Sequence, residues 1–234
     1  MKYLKPGSEI LSQEMANVEQ ESKALLESRI MALQDRLREI PAQNPVLQAE
    51  LLTEKGRTLL ELGRKAEAWQ SAREAFELCV AAEAWAQAVE ASEVLFLSEQ
   101  PESLVALGHG LWIAVTYPVD PELTVAMLQH VVEETPDDSD GAAVAAATAH
   151  YVVDLRASGQ AKEDLTLFTG RLLATVARRH SGVTEQADFE AWVERLELDD
   201  PAKFLVRLRN VVDVLVQDEW WFDREALQQK LPVN

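Results

Sequence analysis

Apolar residues recur along this chain at three- and four-residue intervals, and prolines and glycines cut the rhythm into about ten segments. From Ser8 to about Ile40 nothing interrupts it, with Ser8 read as an N-cap and Glu9 in the first turn. Leu11, Met15 and Val18 start one apolar line. Leu26, Ile30, Leu33, Leu37 and Ile40 continue another at 4-3-4-3 spacing, a seam suited to a neighbouring helix. At ~1.5 Å per residue such a helix exceeds ~40 Å, so it either folds along the body or pairs with a second copy.

Pro41 stops this helix and Asn44-Pro45 starts the next, with Leu47, Leu51, Leu52 and Leu59 inward and Gly63 at its end. Arg64 to Val80 and Ala84 to Ser98 follow as helices. Gln100-Pro101-Glu102 opens another, interrupted by Gly108-His109-Gly110, which reads as a close helix crossing in preference to a kink or a small-molecule contact. Asp120-Pro121-Glu122 is a cap, a first-turn proline and a first-turn acid in succession. After the loop at 135–141, the segment 142–155 is small or apolar nearly all round, which predicts a central helix.

Lys162 to Arg179 carries Leu165, Phe168, Leu172 and Val176 on one face, and Thr184 caps a short helix. Asp200-Pro201 starts a long helix lined by Phe204, Leu208, Val211 and Leu215, plus Leu205, Val212 and Val216. A short helix ends before Pro232. No stretch alternates convincingly with period two, so the predicted class is all-α, built from antiparallel hairpins. Two parts are expected: a long N-terminal helix over 1–43, a possible self-association arm, and a helical-repeat domain over 44–234.

Gly56, Leu59, Gly63, Ala68, Ala72 and Ala75 stand at the spacings by which paired helices approach closely in a tetratricopeptide repeat. The segment 49–82 thus resembles one tetratricopeptide unit. It departs from the family pattern at Leu52, Leu59 and Val80, where an aromatic, a tyrosine and a proline are usual. The resemblance implies stacked hairpins in a solenoid-like body that binds other proteins. A shorter echo, Glu67-Ala68-Trp69 and Glu83-Ala84-Trp85, recurs 16 residues apart, one helix plus its turn.

Composition adds a strong asymmetry. The chain carries 40 acids against 22 bases, and the 82 residues 74–155 hold fifteen carboxylates with no lysine or arginine. The rest is nearly balanced, with 25 acids against 22 bases. Such a surface repels nucleic acid and anionic membranes and attracts a basic partner. No apolar run approaches the ~18 residues of a membrane span, and the N-terminus lacks a secretory pattern, so a cytoplasmic protein is expected. The single cysteine, Cys79, sits in an apolar helical run and reads as a core thiol.

Catalytic motifs are missing: there is no Gly-x-Ser-x-Gly and no glycine-rich phosphate loop. No cofactor is therefore expected. His130 lies near Glu133 and Glu134, and His150 lies four residues before Asp154. These could meet as a carboxylate–histidine metal site if their helices are neighbours, although two hydrogen-bonded imidazoles explain the spacing as well. The loop Asp137-Asp138-Ser139-Asp140-Gly141 lacks the calcium-loop acids, since Pro136 and Ala147 stand in two ligand positions, and reads as a helix cap.

The reading favoured by these observations is a non-enzymatic adaptor or assembly factor for a protein with a basic surface. Trp69, Trp85, Trp112, Trp220 and Trp221 would be its anchors, and Glu133, Glu134, Asp137 and Asp138 would steer the partner. The alternatives are a metal- or cofactor-binding enzyme with a pocket near His109, His130 and His150, and an acidic DNA mimic. A homodimer through the N-terminal helix is compatible with each.

Overall fold

A computed structural model of the chain describes residues 6–41 and 43–231, with side chains from residue 20 onward. Every element there is an α-helix. In order they are α1 (Pro6–Glu39), α2 (Pro45–Glu61), α3 (Lys65–Ala81), α4 (Trp85–Leu97), α5 (Ser103–Thr116), α6 (Pro121–Glu134), α7 (Asp140–Arg156), α8 (Gly159–Ser181), α9 (Gln186–Arg195), α10 (Pro201–Val216) and α11 (Arg224–Gln228). Leu11, Met15 and Val18 belong to α1, but their side chains lie outside the described set; α1 begins at Pro6, so Ser8 lies inside the helix instead of capping it.

Helices α2 and α3, α4 and α5, and α6 and α7 pack as consecutive hairpins, and each hairpin touches the next. The first helices of the pairs also meet in series, α2 with α4, α4 with α6 and α6 with α8. The turns at α2–α3, α3–α4 and α4–α5 share one design, with Gly63, Glu83 and Glu99 each left-handed at φ +72°, +55° and +53°. The amide after the left-handed residue reaches back to close the helix end in two of them, Arg64 to Leu59 and Ala84 to Cys79. The sequence shows this design only where it uses glycine.

One core runs from Ala49 to Leu227 and joins all three hairpins to the later helices. Small residues permit the crossings. A Cβ at Gly56 would lie 2.9 Å from Val94, one at Gly108 2.7 Å from Val216, and one at Gly110 1.9 Å from Ser92 Oγ. The Gly108-His109-Gly110 segment is therefore a double crossing, α5 against α10 on one side and against α4 and α6 on the other. Helix α7 is central as expected: its alanines 142, 143, 145, 146 and 149 are buried, and it packs on α6, α8 and α10.

Helix α1 is held by a small cluster in which Ile30, Leu59 and Ala68 meet, and by Leu37, which packs against the main core. Leu33 is also buried, and Arg29–Glu54 and Arg64–Glu27, both 3.1 Å, tie α1 to the first hairpin. The seam predicted for residues 26–40 is thus packed within the chain, on α2.

Several local expectations need correction. Helix α5 starts at Ser103, since Pro101 sits in the preceding turn, and α9 starts at Gln186 after Glu185 rather than from a Thr184 cap. Helix α7 begins at Asp140 and α8 at Gly159, each earlier than expected. Helix α8 buries Thr169, Leu173 and Val176 while Phe168 is 41% exposed, because its inner face is set by the contact of Thr169 with His150. The 16-residue echo places Trp69 inside α3 but Trp85 at the first position of α4, so the two rings occupy different helical registers.

Candidate functional site

Helix α10 packs on α5 and α7, with Phe204 against Tyr151 near the end of α7 and Val211 beside Gly141 near its start. It therefore runs antiparallel to α7. After it, Gln217 and Asp218 are both left-handed, at φ +52° and +64°, and the chain turns back across α3 and α5. This C-terminal strap places Trp220, Trp221 and Phe222 on the second helices of the hairpins.

The strap meets His109, which is fully buried. Its Nδ1 lies 2.7 Å from the Val105 carbonyl and its Nε2 lies 3.0 Å from the Trp221 amide. A carbonyl can only accept and an amide can only donate, so Nδ1 carries the proton and Nε2 is the acceptor. Burial pushes the His109 pKa down to about 4, opposed by the bond to Val105. The imidazole stacks on the Trp221 ring at 4.4 Å and 14°, and the Arg73 guanidinium sits 3.6 Å from the same ring centre. Groups that close cannot share one face of an indole, so Trp221 is held between them.

All five tryptophans singled out as anchors join one aromatic assembly. Trp69 meets Trp221 edge-on, Trp112 meets Trp220 edge-on, and Trp85 stacks on Tyr117, which in turn contacts Trp112. Trp112 is buried; the other four are half-buried. Their faces are thus used inside the chain: Trp220 and Trp221 cover the side that Trp69 and Trp112 would otherwise offer. Tyr117 Oη donates to the Leu227 carbonyl at 3.3 Å, and Lys230 pairs with Glu83 at 2.5 Å, fastening the far end of the strap.

The base-free segment proves less negative in space than along the chain. Arg57 reaches Glu90 and Glu93, Lys65 reaches Glu99, Arg73 reaches Glu77, Lys162 reaches Asp154, Arg179 reaches Asp137, Arg207 reaches Asp140 and Lys230 reaches Glu83. Packing brings the flanks against the middle. Among the described residues Glu74, Glu102, Asp120, Glu122, Glu134 and Asp138 form no ion pair, and Glu133 meets the imidazole of His130 and the side-chain amide of Gln129.

Arginines from elsewhere also serve helix ends, two of which lack local cations. Arg156 donates to the Ala114 and Val115 carbonyls at 2.8 and 2.9 Å, at the end of α5. Arg179 donates to Val132 at 2.6 Å, at the end of α6, and Arg207 to Leu196 at 2.6 Å, just after α9. Neither α5 nor α6 has a basic residue in its last turn, so these carbonyls depend on tertiary partners.

A groove of about 390 Å³ opens between the α4–α5 turn and α6. Phe96, Leu97 and Leu104 form its apolar part, with Leu97 and Leu104 still 42% and 39% exposed. Glu133 and Glu134 stand on the other wall, and among the described residues no lysine or arginine lines it. His130 packs on Phe96 and lies 3.6 Å from Glu93 and 3.7 Å from Glu133. Two of the expected steering acids therefore share a groove with exposed leucines, while exposed Asp137 and Asp138 stand in the α6–α7 loop outside it, Asp137 paired with Arg179.

The histidines do not converge. His130 faces α4, His150 bonds Thr169 of α8 at 2.9 Å, and Asp154 pairs with Lys162, which holds its carboxyl below the usual range. Although α6 and α7 are neighbours, their imidazoles point to different helices. Among the described residues no group of three or more His, Cys, Asp or Glu side chains is arranged to hold a metal ion. Burial drives the Cys79 thiol up to about 12, leaving little thiolate near neutral pH.

One cluster is invisible in the sequence. Asp140 Oδ1 lies 3.1 Å from His180 Nε2, whose Nδ1 is 2.7 Å from Ser181 Oγ. The composition is that of a Ser–His–Asp relay. Here, however, the Nδ1 lone pair also faces the Trp192 indole N–H at 3.2 Å, and Ser181 accepts from Arg195 at 2.9 Å. With Asp140 also receiving Arg207 at 2.9 Å, the cluster fastens α7, α8, α9 and α10 together. The loop acid Asp140 thus works in the first turn of α7, while Ser139 Oγ caps it by accepting the Gly141 amide.

Compared with protein-family models, with curated proteins and with solved structures, the chain shows no match. Among the described residues no helix is long and apolar enough to cross a membrane.

Proposed function

We propose that this chain is a non-enzymatic helical platform, tetratricopeptide-like in architecture, that docks a protein partner of basic character. The architecture rests on the recurring left-handed turn at Gly63, Glu83 and Glu99 and on the serial contacts of α2, α4, α6 and α8. The docking reading rests on one observation above all: the groove between the α4–α5 turn and α6, in which partly exposed leucines face carboxylates with no lysine or arginine among the lining residues.

An apolar side chain of the partner would enter beside Leu97 and Leu104, and a flanking Lys or Arg would meet Glu133 and Glu134. Burial supplies affinity, while the carboxylates set orientation and association rate. Because these acids lie at the surface, added salt screens the attraction within ~8 Å at physiological ionic strength.

The test places a photo-crosslinking side chain at Leu104 in the full-length protein inside its native cell, with Leu167 on α8 as a remote control. Adducts with a basic protein that appear at Leu104, are absent at Leu167 and disappear with Glu133→Lys/Glu134→Lys support the reading. Equal labelling at both positions, or labelling at Leu104 unaffected by the charge reversal, overturns it.

A further inference from the structure

We propose that the face formed by α3 and α5 is a binding site for short peptides with adjacent aromatic residues, occupied in this structure by the chain's own strap, 217–231. This site is distinct from the groove beside α6 and does not depend on it.

The site has the parts that peptide recognition needs. His109 presents an Nε2 acceptor that only a backbone amide of the strap satisfies, so the site reads main chain as well as rings. Trp69, Phe76 and Trp112 form the apolar walls, contacting Trp221, Phe222 and Trp220 in turn. Arg73 covers the outer face of Trp221, and its buried Nη1 has no hydrogen-bond partner among the described residues, leaving a donor for an incoming acceptor.

The occupant is attached in a way that favours release. Its own fold is slight, a single five-residue helix. Gln217 and Asp218 at its root are consecutive left-handed residues without glycine, a conformation costly for L-residues. The three rings are half-buried, and the far end is held by the buried Leu227 side chain, a Tyr–carbonyl bond and a surface ion pair. A tethered segment acts at an effective concentration in the mM range, so a peptide in trans competes poorly until the tethered copy is weakened.

The charged and titratable groups around the site are Arg73 and Glu77 on α3, Glu102 before α5, Arg224 with Asp213, which hold each other at 2.9 Å beside Trp220, and Tyr117, Glu83 and Lys230 at the far end of the strap.

The test uses the full-length chain and a labelled synthetic peptide of residues 217–231. The variant Trp220→Ala/Trp221→Ala/Phe222→Ala should bind it at least tenfold more tightly than the wild type. The same peptide with both tryptophans replaced by alanine should not bind. Equal affinity for variant and wild type, or no binding to the folded variant, overturns the proposal. Should the variant lose its helical circular dichroism, hydrogen exchange on the wild type decides. A Trp221 amide, held by His109, that exchanges at least tenfold faster than that of Leu111 shows a strap that opens by itself. Equal rates make it a fixed part of the core and overturn the proposal.

Discussion

The amide of Trp221 donates to Nε2 of His109 across 112 residues of sequence, at 3.0 Å, and so decides the protonation state of a fully buried imidazole. A second proton on that ring would set two donors against each other. This single bond joins the C-terminal strap to the centre of α5.

It also makes stability depend on pH. His109 has a folded pKa near 4 against 6.5 in the unfolded chain, so the unfolded state binds the extra proton between these values. Its contribution is complete above pH 6.5, falls as the pH drops towards 4, and changes no further below that. The loss is about 3 kcal/mol. Urea unfolding between pH 7 and 4 should show this slope as the difference between wild type and His109→Gln. Two curves of the same shape would contradict it.

Gly110→Ala should be among the most damaging single methyl additions in the chain. Its Cβ would overlap Ser92 Oγ at 1.9 Å and approach Met127 Cε at 2.7 Å, where α4, α5 and α6 meet. Overpacking there should cost about 2–3 kcal/mol. Combining it with Ser92→Gly, which removes both the Oγ and the Cβ at 2.8 Å, should recover part of that loss. A strictly additive pair in a double-mutant cycle would show that the crossing relaxes by another route.

Arg156→Met should cost about 2–3 kcal/mol by leaving the Ala114 and Val115 carbonyls without their charged donor. Arg156→Lys should fall between, because an ammonium cannot reach two carbonyls in the forked geometry of a guanidinium. Chemical denaturation of the three proteins ranks them. A methionine variant as stable as the wild type would mean that water replaces the arginine.

The local features of this protein were legible in its sequence because they depend on neighbours within about one helical turn. The helical class, the helix starts at Asn44, Asp120 and Asp200, the close crossing at 108–110 and the central place of α7 all follow from such short-range rules. The failures are of the same range: the left-handed turns at Glu83 and Glu99 use a residue that does not announce them.

What only tertiary packing decided is which distant groups meet. Periodicity assigns Trp221 an apolar role but cannot choose its neighbours, and charge along the chain cannot say that Arg57, Lys65 and Arg179 will answer acids of the base-free middle. Those pairings depend on how successive hairpins lie against one another, which no window of sequence contains. The same holds for the groove at Leu97 and Leu104: its leucines and its carboxylates come from helices that only stacking brings together.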